Sequence, residues 1–177
     1  MRVPVFGLVA FVIGFAAVHV VTLNALPGYI MSKARTAMTE RGMPLHHWQM
    51  SPRVTPETQT IVRPSPDLAY TICLIDVSKG PVLLSVPTWP EYGSLSIFDA
   101  HTDNVYAGSL DARLPGATGE HRVVVALEGQ EVYQYGDTDQ VILSKPEALA
   151  LIRRLAPTQA LYDAAAALVP ASTCGPA

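Results

Sequence analysis

Tyr70-Thr71-Ile72-Cys73-Leu74-Ile75, a break at Asp76 to Gly80, and then Pro81-Val82-Leu83-Leu84-Ser85-Val86 form the stretch that decides the fold. Tyr70, Ile72 and Leu74 face one way and Thr71, Cys73 and Ile75 the other, because side chains alternate along a strand. Both sets are largely apolar, which is the pattern of a strand buried on both sides. The break and the second run together predict a hairpin with Ser78-Lys79-Gly80 at its tip.

Towards the C-terminus, a turn at Thr88 to Tyr92 carries Trp89. Strands are expected at Gly93 to Phe98 and Asn104 to Ala107, joined by Asp99-Ala100-His101-Thr102-Asp103. A Gly- and Pro-containing loop spans Leu110 to Glu120, and further strands are expected at Arg122 to Leu127, Val132 to Tyr135 and Gln140 to Leu143. Pro146 then reads as the start of a helix in which Leu149, Ile152 and Leu155 form an apolar stripe and Arg153 and Arg154 face out. Pro157 ends it and opens an alanine-rich helix over Thr158 to Leu168. Strands first and helices last define an α+β class. We expect an N-terminal transmembrane helix, then a mainly antiparallel, sandwich-like β domain with C-terminal helices.

Towards the N-terminus, Met43 to Pro66 holds no period, whereas Ile30, Met31, Ala34, Ala37 and Met38 recur at helical spacing until Gly42. Before this stem, Val3 to Leu26 is apolar with few interruptions, and no charged residue occurs from Val3 to Ser32. A helix needs roughly 20 such residues to cross a bilayer. A cleaved signal peptide wants a shorter apolar core and a small-x-small site; the only plausible cut, after Ala25, has Leu23 where a small residue belongs. The chain therefore divides into an anchor at 1–27, a helical stem and irregular linker at 28–60, and a β-rich domain with its helices at 61–177. Gly7, Ala10, Gly14 and Ala17 share one helical stripe, the kind of face that lets two membrane helices approach closely. His19 falls late in the segment, near the interface.

The chain has 177 residues, a formal net charge of −3, 15 prolines and 2 cysteines. Beyond the anchor remain about 150 residues, the size of one domain with a self-sufficient core. Without a Lys/Arg block or a basic-aromatic stripe, nucleic acid is not an expected partner. Orientation is two-sided. Lys33, Arg35 and Arg41 after the anchor against Arg2 before it favour a cytoplasmic domain. Cys73 and Cys174 lean towards a bacterial periplasm, where they could pair; the other reading is a buried thiol at Cys73 and an exposed one at Cys174.

Asp99, His101, Asp103 and Asn104 form the best chemical constellation, with Asp99, His101 and Asp103 as its ionisable members. On an extended chain they point to one side, and two carboxylates with an imidazole suit proton transfer or a divalent ion. The competing reading is a turn, since Asp and Asn hydrogen-bond their own backbone. His46-His47 beside Trp48 reads as a loop with a packing tryptophan, and Glu120-His121 is a weaker signal still. Nucleophile elbow, phosphate loop and zincin motif are all absent, and no metal or other cofactor is expected.

Three blocks resemble the bacterial domain-of-unknown-function family numbered 1254: Ser65-Pro66-Asp67-Leu68-Ala69-Tyr70; Leu74 to Val82 with Val86-Pro87; and Tyr92 to Asn104. Family members typically read Asn-x-Asp-Thr-x-Tyr, then Asp-Leu-x-x-Gly-Pro, then a tyrosine-led strand ending near Asp-x-x-Thr-x-Asn. Ser65, Leu68 and His101 depart from that pattern. The likeness covers Val62 to Gly108, with an echo at Ile142 to Leu155, and is to the short, membrane-anchored proteobacterial members. It implies an inner-membrane protein with a periplasmic domain and a partner from the sister family numbered 1214, but no established reaction. Any polar site of the family would involve Asp67, Tyr70, Asp99 and Asn104. The resulting expectation is a binding or accessory module for an envelope partner. The alternative is an anchored hydrolase or lyase using Asp99, His101 and Asp103, with or without a metal ion.

Overall fold

In a computed structural model, which describes residues 4–55, 64–132 and 138–177, the anchor and stem are one continuous helix, α1 (Val5–Glu40). Its 36 residues span roughly 54 Å at 1.5 Å per residue. One window of α1 has a mean hydropathy of 2.4 and no buried residue, the profile of a candidate membrane span. Pro27 lies inside the helix. Just beyond, the Lys33 ammonium sits over the Tyr29 ring, 5.6 Å from its centroid, a pairing suited to the water–lipid boundary. Gly42 stops the helix at φ +86°.

The domain follows as β1 (Gln49–Met50), β2 (Leu68–Asp76), β3 (Val82–Pro87), β4 (Gly93–Phe98), β5 (Asn104–Ser109), β6 (Glu120–Leu127), β7 (Asp139–Leu143), β8 (Glu147–Leu155), α2 (Gln159–Ala167) and β9 (Thr173–Pro176). Five strands form one sheet in the order β1-β2-β8-β4-β5, and four form a second in the order β7-β6-β3-β9. Every pairing is antiparallel except β6 with β7. The α+β class stands.

Cys73, Ile75, Leu95, Ile97, Ala148, Ala150 and Ile152 of the first sheet meet Val82, Leu84, Val86, Val123, Val125 and Val141 of the second in one core. The opposite face of the first sheet is covered as well. Leu74 and Leu149 pack with Met31 of α1, and Ile72, Phe98, Leu151, Met38 and Met43 join them. This explains why both faces of Tyr70 to Ile75 are apolar. At the far end α2, capped by Thr158 accepting from the Leu161 N–H, closes a smaller cluster of Ala69, Trp89, Ala156 and Ala165.

Three expectations are corrected. The two runs that open the sequence argument are not a hairpin. β2 pairs with β8 from Leu68↔Leu155 to Asp76↔Glu147, while β3 pairs with β6 and β9 in the other sheet. The Val77 to Pro81 connection therefore crosses between layers. Residues from Pro146 to Leu155 are not a helix, because β8 is the central strand of the five-stranded sheet. Ala148, Ala150 and Ile152 face the second sheet while Leu149 and Leu151 face the stem; burial on both faces overrides helix propensity. Arg154 does not face out: it is 1% exposed, and its guanidinium donates to the Pro87 carbonyl at 3.0 Å. Val132 stands outside the strands, and residues 133–135 of the expected strand lie outside the described residues.

Cys73 and Cys174 are joined by a disulfide that ties β2 to β9 across the core, with a sequence separation of 101. The chain-entropy model credits a loop of that size with up to roughly 4–5 kcal/mol. Replacing both cysteines with alanine should lower unfolding free energy by about 2–5 kcal/mol, read by denaturant titration of the full chain in detergent. The buried Arg154 has an Nε without a hydrogen-bond partner, and burial depresses its pKa to about 10. Arg154→Met should leave the unfolding midpoint unchanged or raise it, since an apolar side chain of similar volume avoids that desolvation cost.

Candidate functional site

Period-2 alternation in β6 puts His121 on the same face as Val123 and Val125, turned towards the first sheet. Asp139 lies across from Val123 on β7. From the opposing sheet, Tyr106 on β5 reaches the same point. The Tyr106 hydroxyl donates to Asp139 Oδ2 at 2.5 Å and also contacts His121 Nε2, which lies 3.6 Å from Asp139 Oδ2. A phenol has one proton to give. With that proton on Asp139, the imidazole offers its Nε2–H to the phenol oxygen. Partial burial, then the hydrogen bond and charge of Asp139, push the Tyr106 hydroxyl well above its ordinary pKa.

The cluster bridges the two sheets at their open edge. It is partly wet, the His121 side chain being 25% and the Asp139 side chain 58% exposed. His121 also lines a groove of about 250 Å³ with Thr88, Ser109, Asp111, Gly116 and Glu120. Gly108, one step along β5 on the inward face, makes room for the cluster. A Cβ there would lie 2.6 Å from His121 Nε2 and 2.8 Å from the Tyr106 hydroxyl.

A second polar cluster sits where the stem meets the domain. The Arg35 guanidinium donates to the Ala148 carbonyl and faces Glu147 and Asp76; burial lowers its pKa and those two charges partly restore it. Burial works against ionisation of Asp76, but hydrogen bonds from Ser78 and the charge of Arg35 outweigh it, leaving the carboxyl below its usual range. The Asp76 N–H donates to His46 Nε2 at 3.1 Å, with His46 held at φ +58°. Cavities of about 330 and 400 Å³ adjoin this point and share Leu45 and Asp76.

The residues singled out from sequence occupy separate places. Asp99 Oδ1 accepts from the His101 N–H at 2.7 Å and the Asp103 N–H at 3.0 Å, closing the β4–β5 turn. His101 Nδ1 is 3.7 Å from the other carboxylate oxygen, and the turn lies against α1, where a Cβ on Gly28 would be 3.9 Å from the His101 ring. Asn104 spans the bulge between Ile97 and Phe98; with its amide turned to suit both neighbours, it donates to the Tyr106 and Ile97 carbonyls. Asp67 and Tyr70 are at the other end of the sheet. The Asp67 carbonyl accepts from the Ala156 N–H at 2.7 Å, and the Tyr70 hydroxyl accepts from the Ser65 N–H at 2.8 Å. Strand register puts about six residues, roughly 20 Å, between the two groups. Gly7, Ala10, Gly14 and Ala17 are exposed on α1, Trp48 is buried and donates to the Thr173 carbonyl, and His47 is exposed. Among the described residues, no three His, Cys, Asp or Glu side chains converge to hold a metal ion.

Sequence reasoning missed Tyr106 and Asp139 altogether and gave His121 little weight. The one available signal was the register of β6, which turns a histidine to the same face as two buried valines.

Fold and sites define a two-sheet α+β domain carried on a candidate membrane helix. The chain belongs to the family described as protein of unknown function, DUF1254, whose sequence pattern matches residues 45–176. No curated protein matches it. Among solved structures, the VPA0106 protein from Vibrio parahaemolyticus aligns with a TM-score of 0.62 at 19% identity, over 87% of this chain and 37% of that one. The chain thus spans just over a third of that protein, and the likeness is one of fold. An uncharacterized protein from Burkholderia cenocepacia aligns at a TM-score of 0.40 and 14% identity, over 54% of this chain and 28% of that one.

Gly108→Ala should destabilise the domain by about 1–3 kcal/mol, because the added methyl forces His121 or Tyr106 to move. Thermal unfolding of wild type and variant measures it.

Proposed function

We propose that the chain is an inner-membrane protein whose single span carries a periplasmic binding or accessory domain for an envelope partner. The observation that carries this reading is the continuity of α1, which leaves its apolar segment and docks directly on the first sheet through Met31 and Arg35. A domain held that way cannot swing freely; it presents its loops and its β5–β6 edge at a set height over the bilayer. The disulfide supports an oxidising compartment, since such pairs persist outside the cytosol. A protein of the sister family 1214 is the proposed partner, and the stripe of Gly7, Ala10, Gly14 and Ala17 is a proposed contact for a second helix within the membrane. Hydrolysis or elimination at Asp99, His101 and Asp103 would need those groups free for a substrate, and Asp99 is engaged by its own turn.

A reporter that is active only in the periplasm, fused after Ala177, tests the reading together with alkylation of the cysteines. An active reporter with Cys73 and Cys174 protected until reduction is the expected result. A silent reporter with freely alkylated thiols would put the domain in the cytoplasm and end the proposal.

A further inference from the structure

The geometry points to a metal-binding site for a first-row transition ion at Tyr106, His121 and Asp139, with the groove beside His121 supplying access for water or a small ligand. Three donor atoms from three strands in two sheets converge there: a phenol oxygen, an imidazole nitrogen and a carboxylate oxygen. Bonds of 2.0–2.1 Å to one ion place neighbouring donors roughly 2.9–3.4 Å apart. The His121–Asp139 separation of 3.6 Å lies just above that window, the Tyr106–Asp139 separation of 2.5 Å lies below it, and Tyr106 and His121 are in closer contact still. Coordination requires the Tyr106 hydroxyl to part from both partners and His121 and Asp139 to draw slightly together, so that an ion replaces the hydrogen bonds among the three donors.

Two further observations support the assignment. Gly108 lacks a side chain at the point where a Cβ would clash with both His121 Nε2 and the Tyr106 hydroxyl, so the backbone of β5 lets these two donors converge. The donors are also only partly covered. Asp139 is more than half exposed and His121 lines the groove, so an ion can enter and keep open positions. The donor set selects the ion class. Imidazole suits zinc, copper and iron, while two anionic oxygens favour the harder or more strongly polarising members. On loading, the phenol gives up its proton to solvent as its oxygen bonds to the metal, and the imidazole binds neutral through Nε2 with its own proton moved, by exchange with water, to Nδ1.

The test is titration of the full chain in detergent, stripped with chelator, using Cu2+ and Fe3+ as separate probes. The expected result with at least one probe is uptake of about one ion per chain with a visible phenolate-to-metal charge-transfer band. Tyr106→Phe should abolish that band, and His121→Asn and Asp139→Asn should each weaken uptake at least about tenfold, as loss of one of three ligands demands. Retention of the Cys73–Cys174 disulfide and an unchanged far-ultraviolet spectrum check the fold of each variant. Wild-type protein without the band under both probes, or Tyr106→Phe binding with the same affinity and spectrum, would reduce the cluster to a hydrogen-bonded clamp and overturn the proposal. Should Tyr106→Phe fail to fold, the wild-type spectrum alone decides.

Discussion

Everything else in this molecule depends on a sheet that must be covered on both faces. β2 and β8 carry apolar side chains in both directions, and a sheet with two apolar faces has no stable arrangement in water until each is buried. The second sheet takes one face. The stem of α1 takes the other, passing the β4–β5 turn at Gly28, packing on β2 through Met31 and Met38, and reaching β8 at Arg35. The helix that would hold the protein in a membrane is thereby also part of the domain's core, because Met31 packs on Leu74 and Leu149. The long apolar helix and the domain are one mechanical unit for this reason.

The two sheets are tied at separate places by different chemistry. The disulfide from Cys73 to Cys174 links β2 with the edge strand β9 through the apolar core. At the opposite edge, where core gives way to solvent, Tyr106, His121 and Asp139 link β5 with β6 and β7. A hydrogen-bonded polar cluster at such a boundary is satisfied without full burial, and the missing side chain at Gly108 lets its members meet. The same partial exposure makes the edge chemically accessible, whereas Arg154, sealed behind Pro87, carries its charge where no solute can reach it.

Local patterns were legible where local physics decides them. The span of α1, its stop at Gly42, the capped helix after Pro157, and the strands around Tyr70, Leu84, Leu95 and Val124 all follow from periodicity and turn chemistry in short windows. The β4–β5 turn was legible as well, because Asp99 acts on backbone groups only two to four residues away. Legibility failed for β8. Leu149, Ile152 and Leu155 fit a helical stripe as readily as a central strand, and alanine and leucine favour the helix. Their state is set by β2 and β4, which offer backbone partners on both sides.

The sequence by itself determined that this protein has a long apolar helix, a β-rich domain, a family likeness in its middle, and two cysteines able to pair. Only the tertiary structure decided which strands share a sheet, that the apparent hairpin is a crossing between layers, and which polar groups form clusters. The physical reason is range. Helical periodicity, turns and caps are governed by neighbours a few residues apart, whereas Tyr106, His121 and Asp139 meet because two sheets stack, and Arg35 reaches Ala148 because a stem must cover an apolar face. No short window of the chain contains that information.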